Sequence, residues 1–449
     1  MSAATRTVIV VGGGLAGLSA AWKLSRAGCA VTVLERLQCG GGRAGGERVE
    51  GFCIDRSLPL VSTGDRHLLS WVAELGIADR LLPLRLVQHA QFDRGKTVPI
   101  HGQSPLAVAK LPGVRWWQGI RTLRLSRLMR RYRAQLDVEY PEKAAGLDYR
   151  SVADFATLYF GASVRDHWVA PAAMSLAAGD IHEMSRVAFL LQLEEQQRGA
   201  LALPRAGLLE VARAAVDRLP MRYGFEVARV EPREAGGFHV HCRRDQLADE
   251  TLEADAVVFA STATNIREIA SACLVLPEQD FFRQVHYEAG ATLSIALSRP
   301  PAGVPEHVRV APSQSSSIES ILLEPGAPGE RVPTGSGLAV VTARGDFASQ
   351  RAHAPDDVVT KELLDAHQVV SSRRSLAVRF VRLHRSGSAR PRFDVGAYRN
   401  LARFQDVQGD LRAGGRRLYF AGDYLIGSRP EHAVISGARA ARSLLSDWA

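Results

Sequence analysis

Apolar residues near the start of the chain fall in two short unbroken runs, Val8-Ile9-Val10-Val11 and Val31-Thr32-Val33-Leu34, with a helical pattern between them. Runs of this length, bounded by glycine or charge, read as buried strands, so the chain opens as strand, helix, strand. His67 to Gly76 reads as a helix with Leu68, Leu69, Val72 and Leu75 on one side. From residue 91 to about 203 the strand-rich pattern gives way to a helical one. Within it, Trp116 to Leu136 is amphipathic. Leu125, Leu128, Met129, Tyr132 and Leu136 keep helical spacing, while Arg124, Arg127, Arg130, Arg131 and Arg133 supply charge. Strand patterns return at Ala256-Val257-Val258-Phe259, across residues 285–300, at 338–343 and 376–383, and at Leu418-Tyr419-Phe420. The stretch from Pro300 to Ser336 is rich in Pro, Gly and Ser and is expected to include loops over the substrate domain. No internal repeat is visible. The fold class is α/β: a Rossmann-like domain joined to a mixed α+β domain that has an antiparallel sheet and a helical part.

The turn after the first strand, Gly12-Gly13-Gly14-Leu15-Ala16-Gly17, carries chemistry. Gly12 permits a tight turn off the strand. Gly14 lets the backbone approach a pyrophosphate seated on the helix N-terminus, beside Leu15 and Ala16, and Gly17 lets helix and strand pack closely. Glu35 ends the second strand, followed by Arg36, where a carboxylate can accept hydrogen bonds from a ribose diol. Strand, glycine turn, helix, strand and acid together predict a dinucleotide site.

A second glycine run, Gly40-Gly41-Gly42-Arg43-Ala44-Gly45-Gly46, follows shortly after Glu35. With it the chain resembles the flavoprotein superfamily of amine oxidases, phytoene-type desaturases and protoporphyrinogen oxidases. In that family Gly-Gly-Arg lies along the FAD diphosphate, which assigns Gly41, Gly42 and Arg43 to the cofactor. Two later blocks, in the same order as in the family, extend the resemblance over essentially the whole chain. The first is Val227-Ala228-Arg229-Val230 with the strand ending at Ala260, where the backbone of Val227 is implied to meet the adenine. The second is Gly422-Asp423, implied to face the ribityl or diphosphate, followed by the helix beginning at Ala433-Val434 beside the flavin. The resemblance implies five segments: FAD-binding in 1–90, 204–284 and 401–449, and substrate-domain in 91–203 (helical) and 285–400 (sheet). Ser151-Val152-Ala153-Asp154-Phe155 through Trp168, then Ala177-Ala178-Gly179-Asp180, is similar to protoporphyrinogen-oxidase-like members. Leu203-Pro204-Arg205-Ala206-Gly207 resembles the family's turn before the return helix, with Ala206 where glycine is usual. Asp55 matches an Asp-Gly position of many members, but Arg56 replaces the glycine.

Composition narrows the picture. The five cysteines include no CxxC pair, so no metal or redox site is expected, and none lies in the C-terminal motif, so FAD is expected to be held non-covalently. The first strand begins within about six residues of the N-terminus and no long apolar run follows, which predicts a cytoplasmic chain with no signal peptide and no spanning helix. The formal charge of +9 comes without a recognition module, so no nucleic-acid partner is expected. Trp116 to Leu136 has two readings: peripheral contact with an anionic membrane, or a surface helix packed on its own domain. Oligomeric state is not legible.

The resemblance implies hydride removal from a small molecule to flavin N5, with reoxidation by oxygen or another acceptor. Many amine oxidases of the family use a lysine in the strand that here reads Gly290 to Ile295. Ser294 stands at or near that place, and no lysine occurs between Lys143 and Lys361. This favours a desaturase or dehydrogenase acting on a bulky hydrophobic substrate, and the positive formal charge leaves an anionic group on that substrate as one reading. A protoporphyrinogen-type oxidase, an amine oxidase, or a flavin-binding partner protein without turnover remain as alternatives. Tyr424, Arg429 and His432 lie between the Asp423 motif and the last helix and are the catalytic candidates. His432 is the acid–base choice because imidazole titrates near neutrality, or else it only orders the loop. Arg429 would pair an anionic substrate or the reduced flavin.

Overall fold

The computed structural model describes residues 6–100, 105–175, 177–244, 248–300, 306–371 and 377–449. Its first layer is a parallel sheet of five strands in the order Met221–Tyr223, Ala30–Glu35, Thr7–Val11, Ala256–Phe259, Leu418–Phe420. These strands are continuously apolar because both faces are covered. Val8, Val10, Val31, Val33 and Val258 pack with the helices Leu15–Arg26 and Pro430–Trp448. The alternate residues Ile9, Val11, Val257 and Phe259 pack on the antiparallel meander Phe225–Pro232, Phe238–Arg244, Glu250–Ala254. The two covering helices approach closely because Gly437 is bare: a Cβ there would lie 2.1 Å from the Ala16 carbonyl oxygen.

The second layer is a seven-stranded sheet in the order Val378–Pro391, Tyr287–Leu297, Gly337–Ala343, Ile318–Pro325, His307–Val310, His89–Asp93, Lys96–Pro99. All its pairings are antiparallel except that between His307–Val310 and His89–Asp93. One expectation is corrected here. Residues 91–203 are not helical throughout, because the segment opens inside the hairpin His89–Asp93 and Lys96–Pro99. Its turn is Arg94-Gly95, both at positive φ (50° and 70°), a conformation whose usual sequence signal is Asn-Gly or Asp-Gly. Besides its loops, the stretch 300–336 supplies the strands His307–Val310 and Ile318–Pro325, and the second of these is buried nearly throughout. There the apolar run Ile321-Leu322-Leu323, between strands on both sides, outweighs the turn-forming composition around it.

The helical lobe, residues 105–198, packs around Phe155, Phe160, Trp168 and Phe189, whose rings meet edge to face. The amphipathic stretch is two helices, Trp116–Ile120 and Leu123–Tyr132, and the second buries Leu128 and Met129. The chain returns to the first layer through Gly207, at φ +82°. Asp55 accepts from the Leu209 N–H at the start of the helix Leu209–Val216, at 3.0 Å, and pairs with Arg331 at 2.7 Å.

Candidate active site

Two glycine loops meet at the carboxyl end of the parallel sheet. Gly12 takes φ +111°, and a Cβ on Gly17 would lie 2.0 Å from the Gly12 carbonyl oxygen, so both positions require glycine. The Gly41 N–H donates to the Gly13 carbonyl at 2.7 Å, fixing the second loop on the first. A Cβ added to Gly14 meets nothing within 4 Å, so the backbone there borders open space at the N-terminus of the helix Leu15–Arg26. Glu35 accepts from the N–H groups of Gly13 and Leu37, at 2.8 and 2.9 Å, which holds its carboxylate beside the turn. Arg43 Nη1 lies 2.6 Å from Asp423 Oδ2 and 2.7 Å from the Ala389 carbonyl oxygen. Gly422 is tied to the last helix by its N–H, which donates to Ser436 Oγ at 2.9 Å. Ser19 Oγ donates to the Val434 carbonyl at 3.0 Å.

Beside this cradle is a cavity of about 40 Å³. Its apolar lining comes from Val138, Ala188, Leu191, Phe393 and Ile426, and its polar lining includes Glu195, Arg429 and His432. These three belong to one network. Arg429 donates to both oxygens of buried Asp65, at 2.7 and 2.8 Å, and to Glu195 Oε1 at 3.0 Å. His432 Nε2 meets the same Oε1 at 2.6 Å, and its Nδ1 accepts the Arg429 N–H at 3.2 Å. The imidazole therefore carries its proton on Nε2 when neutral. Burial pushes the Glu195 carboxyl up, but the charges of His432 and Arg429 outweigh it and hold it at about 2. Next to them, Glu431 accepts from the N–H groups of His67 and Leu68, at 2.9 and 2.7 Å, at the start of the helix Arg66–Glu74. Burial and then Asp65 push its carboxyl up.

The model of the family described as flavin containing amine oxidoreductase matches residues 15–445. The chain belongs to that family. As a member it is a flavin-containing oxidoreductase. Among curated relatives, it is 33% identical over 267 residues to a phytoene dehydrogenase of Streptomyces griseus, covering 50% of this chain and 49% of that protein. It is 27% identical over 202 residues to a coproporphyrinogen III oxidase of Propionibacterium freudenreichii subsp. freudenreichii, covering 45% of this chain and 37% of that protein. The matched region thus spans about half or less of those relatives. A putrescine oxidase solved with putrescine bound superposes with a TM-score of 0.77 at 18% identity, covering 98% of this chain and 99% of that one, which establishes the shared fold.

The cradle fits the flavoenzyme's cofactor: open space at Gly14 where a diphosphate needs it, and close by an arginine–carboxylate pair from the second glycine loop and the turn after the last strand. Arg36 is exposed beyond the strand end, and Val227 sits at a bulge of the meander, where the register shifts between Val227 and Arg229. Of the three catalytic candidates, the structure brings Arg429 and His432 to the cavity but not Tyr424. Tyr424 is buried against Phe281 and Phe282, because the turn after Gly422 directs it into that aromatic cluster. Its hydroxyl has no hydrogen-bond partner among the described residues. Arg429 is also not the free cation expected for an anionic substrate, since its guanidinium already faces two carboxylates. Sequence reasoning missed Glu195 and Asp65. Neither lies in a motif, and each meets Arg429 only through the fold. Ser294 is buried, and its Oγ has no partner among the described residues.

Proposed function

We propose that this flavoenzyme is a dehydrogenase of the desaturase type, taking a hydride from carbon at one apolar, uncharged end of a small molecule. The observation that carries the reading is the cavity beside the cradle. Its walls are largely apolar, and its one arginine is neutralised by Asp65 and Glu195, which leaves no free charge to hold a carboxylate or a phosphate there. At about 40 Å³ the cavity is far smaller than the roughly 300–1,000 Å³ of a whole ligand site, so the body of a bulky hydrophobic molecule would lie beyond it.

FAD, when bound, supplies the two-electron acceptor. Gly12, Gly14, Leu15, Ala16 and Gly17 would take its diphosphate, with Gly41, Gly42 and Arg43 on the opposite side. Glu35 would take the ribose, with Arg36 and Ala260 at the ends of the flanking strands, and Val227 the adenine. Gly422 and Asp423 would take the ribityl chain, and Ala433 and Val434 would lie on the flavin side, within the first turns of a helix that begins at Pro430 and not at Ala433. His432 would hold a proton at Nε2, with Glu195 fixing the ring and Arg429 keeping that carboxylate ionised. The apolar walls would exclude water from the reacting carbon.

Anaerobic mixing with isoprenoids, porphyrinogens, amines and fatty acids, read as bleaching of the flavin absorbance, tests the reading. Bleaching by an isoprenoid or another apolar molecule is expected. Turnover of simple mono- or polyamines at roughly 1–1,000 per second would replace it with amine oxidation.

A further inference from the structure

The helical lobe carries a surface that this chemistry does not use. Residues 94–136 contain ten Lys or Arg and no Asp or Glu, so the formal excess of +9 lies in this segment. The rest of the chain, with 46 basic and 47 acidic side chains, is close to neutral. In the same segment Leu106, Trp116, Trp117, Ile120 and Leu123 are exposed, with Trp116 at 68% and Leu106 at 69%. They stand on three successive helices, Pro105–Ala109, Trp116–Ile120 and Leu123–Tyr132.

These helices are well anchored from beneath, so the exposure is not a fraying end. Gln118 is buried, and its Oε1 accepts from the N–H and the hydroxyl of Ser163, at 3.0 and 2.6 Å. Gly119 packs so closely on the first helix that a Cβ would lie 2.4 Å from Ala109 Cα. Leu128 and Met129 fill the core side of the third helix. The apolar side chains left outside are therefore held there by a folded support. Around them Arg115, Arg124, Arg127, Arg130 and Arg131 are exposed. Arg121 and Arg124 reach the carbonyl oxygens of Leu158 and Tyr159.

Scattered exposed leucines need no explanation, but adjacent exposed tryptophans with aliphatic neighbours, inside a strongly cationic segment, do. We propose that this face docks on an anionic lipid surface. The tryptophan and aliphatic side chains would enter the headgroup region, and the arginines would meet lipid phosphates. A nucleic-acid backbone would satisfy the arginines but leave Leu106, Ile120 and Leu123 in water. Among the described residues no helix is long and apolar enough to cross a membrane, so the contact is peripheral. The same lobe contributes Val138, Ala188 and Leu191 to the cavity, which suits a substrate drawn from the bilayer, although the docking itself does not depend on the proposed reaction.

The test uses the full FAD-loaded chain with vesicles of phosphatidylcholine, alone or mixed with phosphatidylglycerol. Sedimentation with the mixed vesicles only, a blue shift of tryptophan emission, and weakening by salt are expected. Trp116→Ser with Trp117→Ser should lower partitioning about ten-fold, and each of Arg124→Ser and Arg127→Ser about five-fold. All four side chains are exposed, so flavin absorbance and melting temperature should stay as in the parent and show that the variants fold. Failure to sediment with mixed vesicles at low salt would overturn the proposal. So would binding that the tryptophan variant retains in full and that a single-stranded RNA oligomer matches, since that would be polyanion binding.

Discussion

Arg43 Nη1 lies 2.6 Å from Asp423 Oδ2, joining the loop after the second strand to the turn after the last one. The pair closes the cofactor cradle with groups from opposite ends of the chain. Replacing Arg43 by Ala should leave the buried Asp423 carboxylate without its cation and weaken FAD binding about ten-fold or more. Flavin content and a Kd for reconstitution measure this. Full FAD retention in the variant would take Arg43 off the cofactor.

Gly14 and Gly17 should fail in different ways. A side chain on Gly14 enters open space, so Gly14→Val should fold yet purify without yellow colour, because the branched group occupies the room a diphosphate needs. A Cβ on Gly17 collides with the Gly12 carbonyl oxygen, so even Gly17→Ala should lower the melting temperature. A Gly14→Val protein with full FAD, released by acid as from the parent, would move the diphosphate elsewhere.

His432→Ala should slow reduction of the flavin by substrate while FAD content stays nearly unchanged. Loss of a proton-handling group costs on the order of 10²–10⁴-fold. A ring that only orders the loop through the Arg429 N–H should cost far less. Rapid-mixing absorbance under anaerobic conditions separates the two, and an unaltered reductive half-reaction would leave His432 as a structural cap of the last helix.

Glu195 links the site to pH. Its ordinary carboxyl value of 4.5 is lowered to about 2 in the folded chain, so unfolding takes up a proton below pH 4.5. The stability it contributes, on the order of 3 kcal/mol for such a shift, is complete above about pH 4.5 and is lost as pH falls toward 2. Glu195→Gln should therefore melt below the parent at neutral pH, with the difference closing as the solution is acidified. A difference that does not change with pH would show that Glu195 is not the ionised partner of Arg429 and His432.

The cradle was legible because its parts are local. A glycine turn, a helix start and an acidic strand end depend on backbone geometry over a few neighbouring residues, and the spacing of Gly12, Gly14, Gly17, Glu35 and Gly41 to Arg43 records that geometry directly. The strands expected at 285–300, 338–343 and 376–383 were legible for the same reason, since alternation and apolar runs are properties of single segments, although the last runs on to Pro391 and residue 376 lies outside the described residues. The hairpin at 89–99 was hidden by an Arg-Gly turn that lacks the usual signal, and the strands within 306–325 by turn-forming neighbours.

By itself, then, the sequence determined the fold class, the two glycine loops and the segment that supplies Arg429 and His432 to the cavity. Only the tertiary structure decided which groups face one another. Asp65, Glu195, Arg429 and His432 come from three distant segments, and their charges are matched only once those segments pack. Tyr424 stands next to Asp423 in sequence, yet its ring goes to Phe281 and Phe282, because burying an aromatic face in an existing cluster outweighs its place in the motif. Side-chain direction and long-range charge pairing are properties of packing, and no spacing along the chain encodes them.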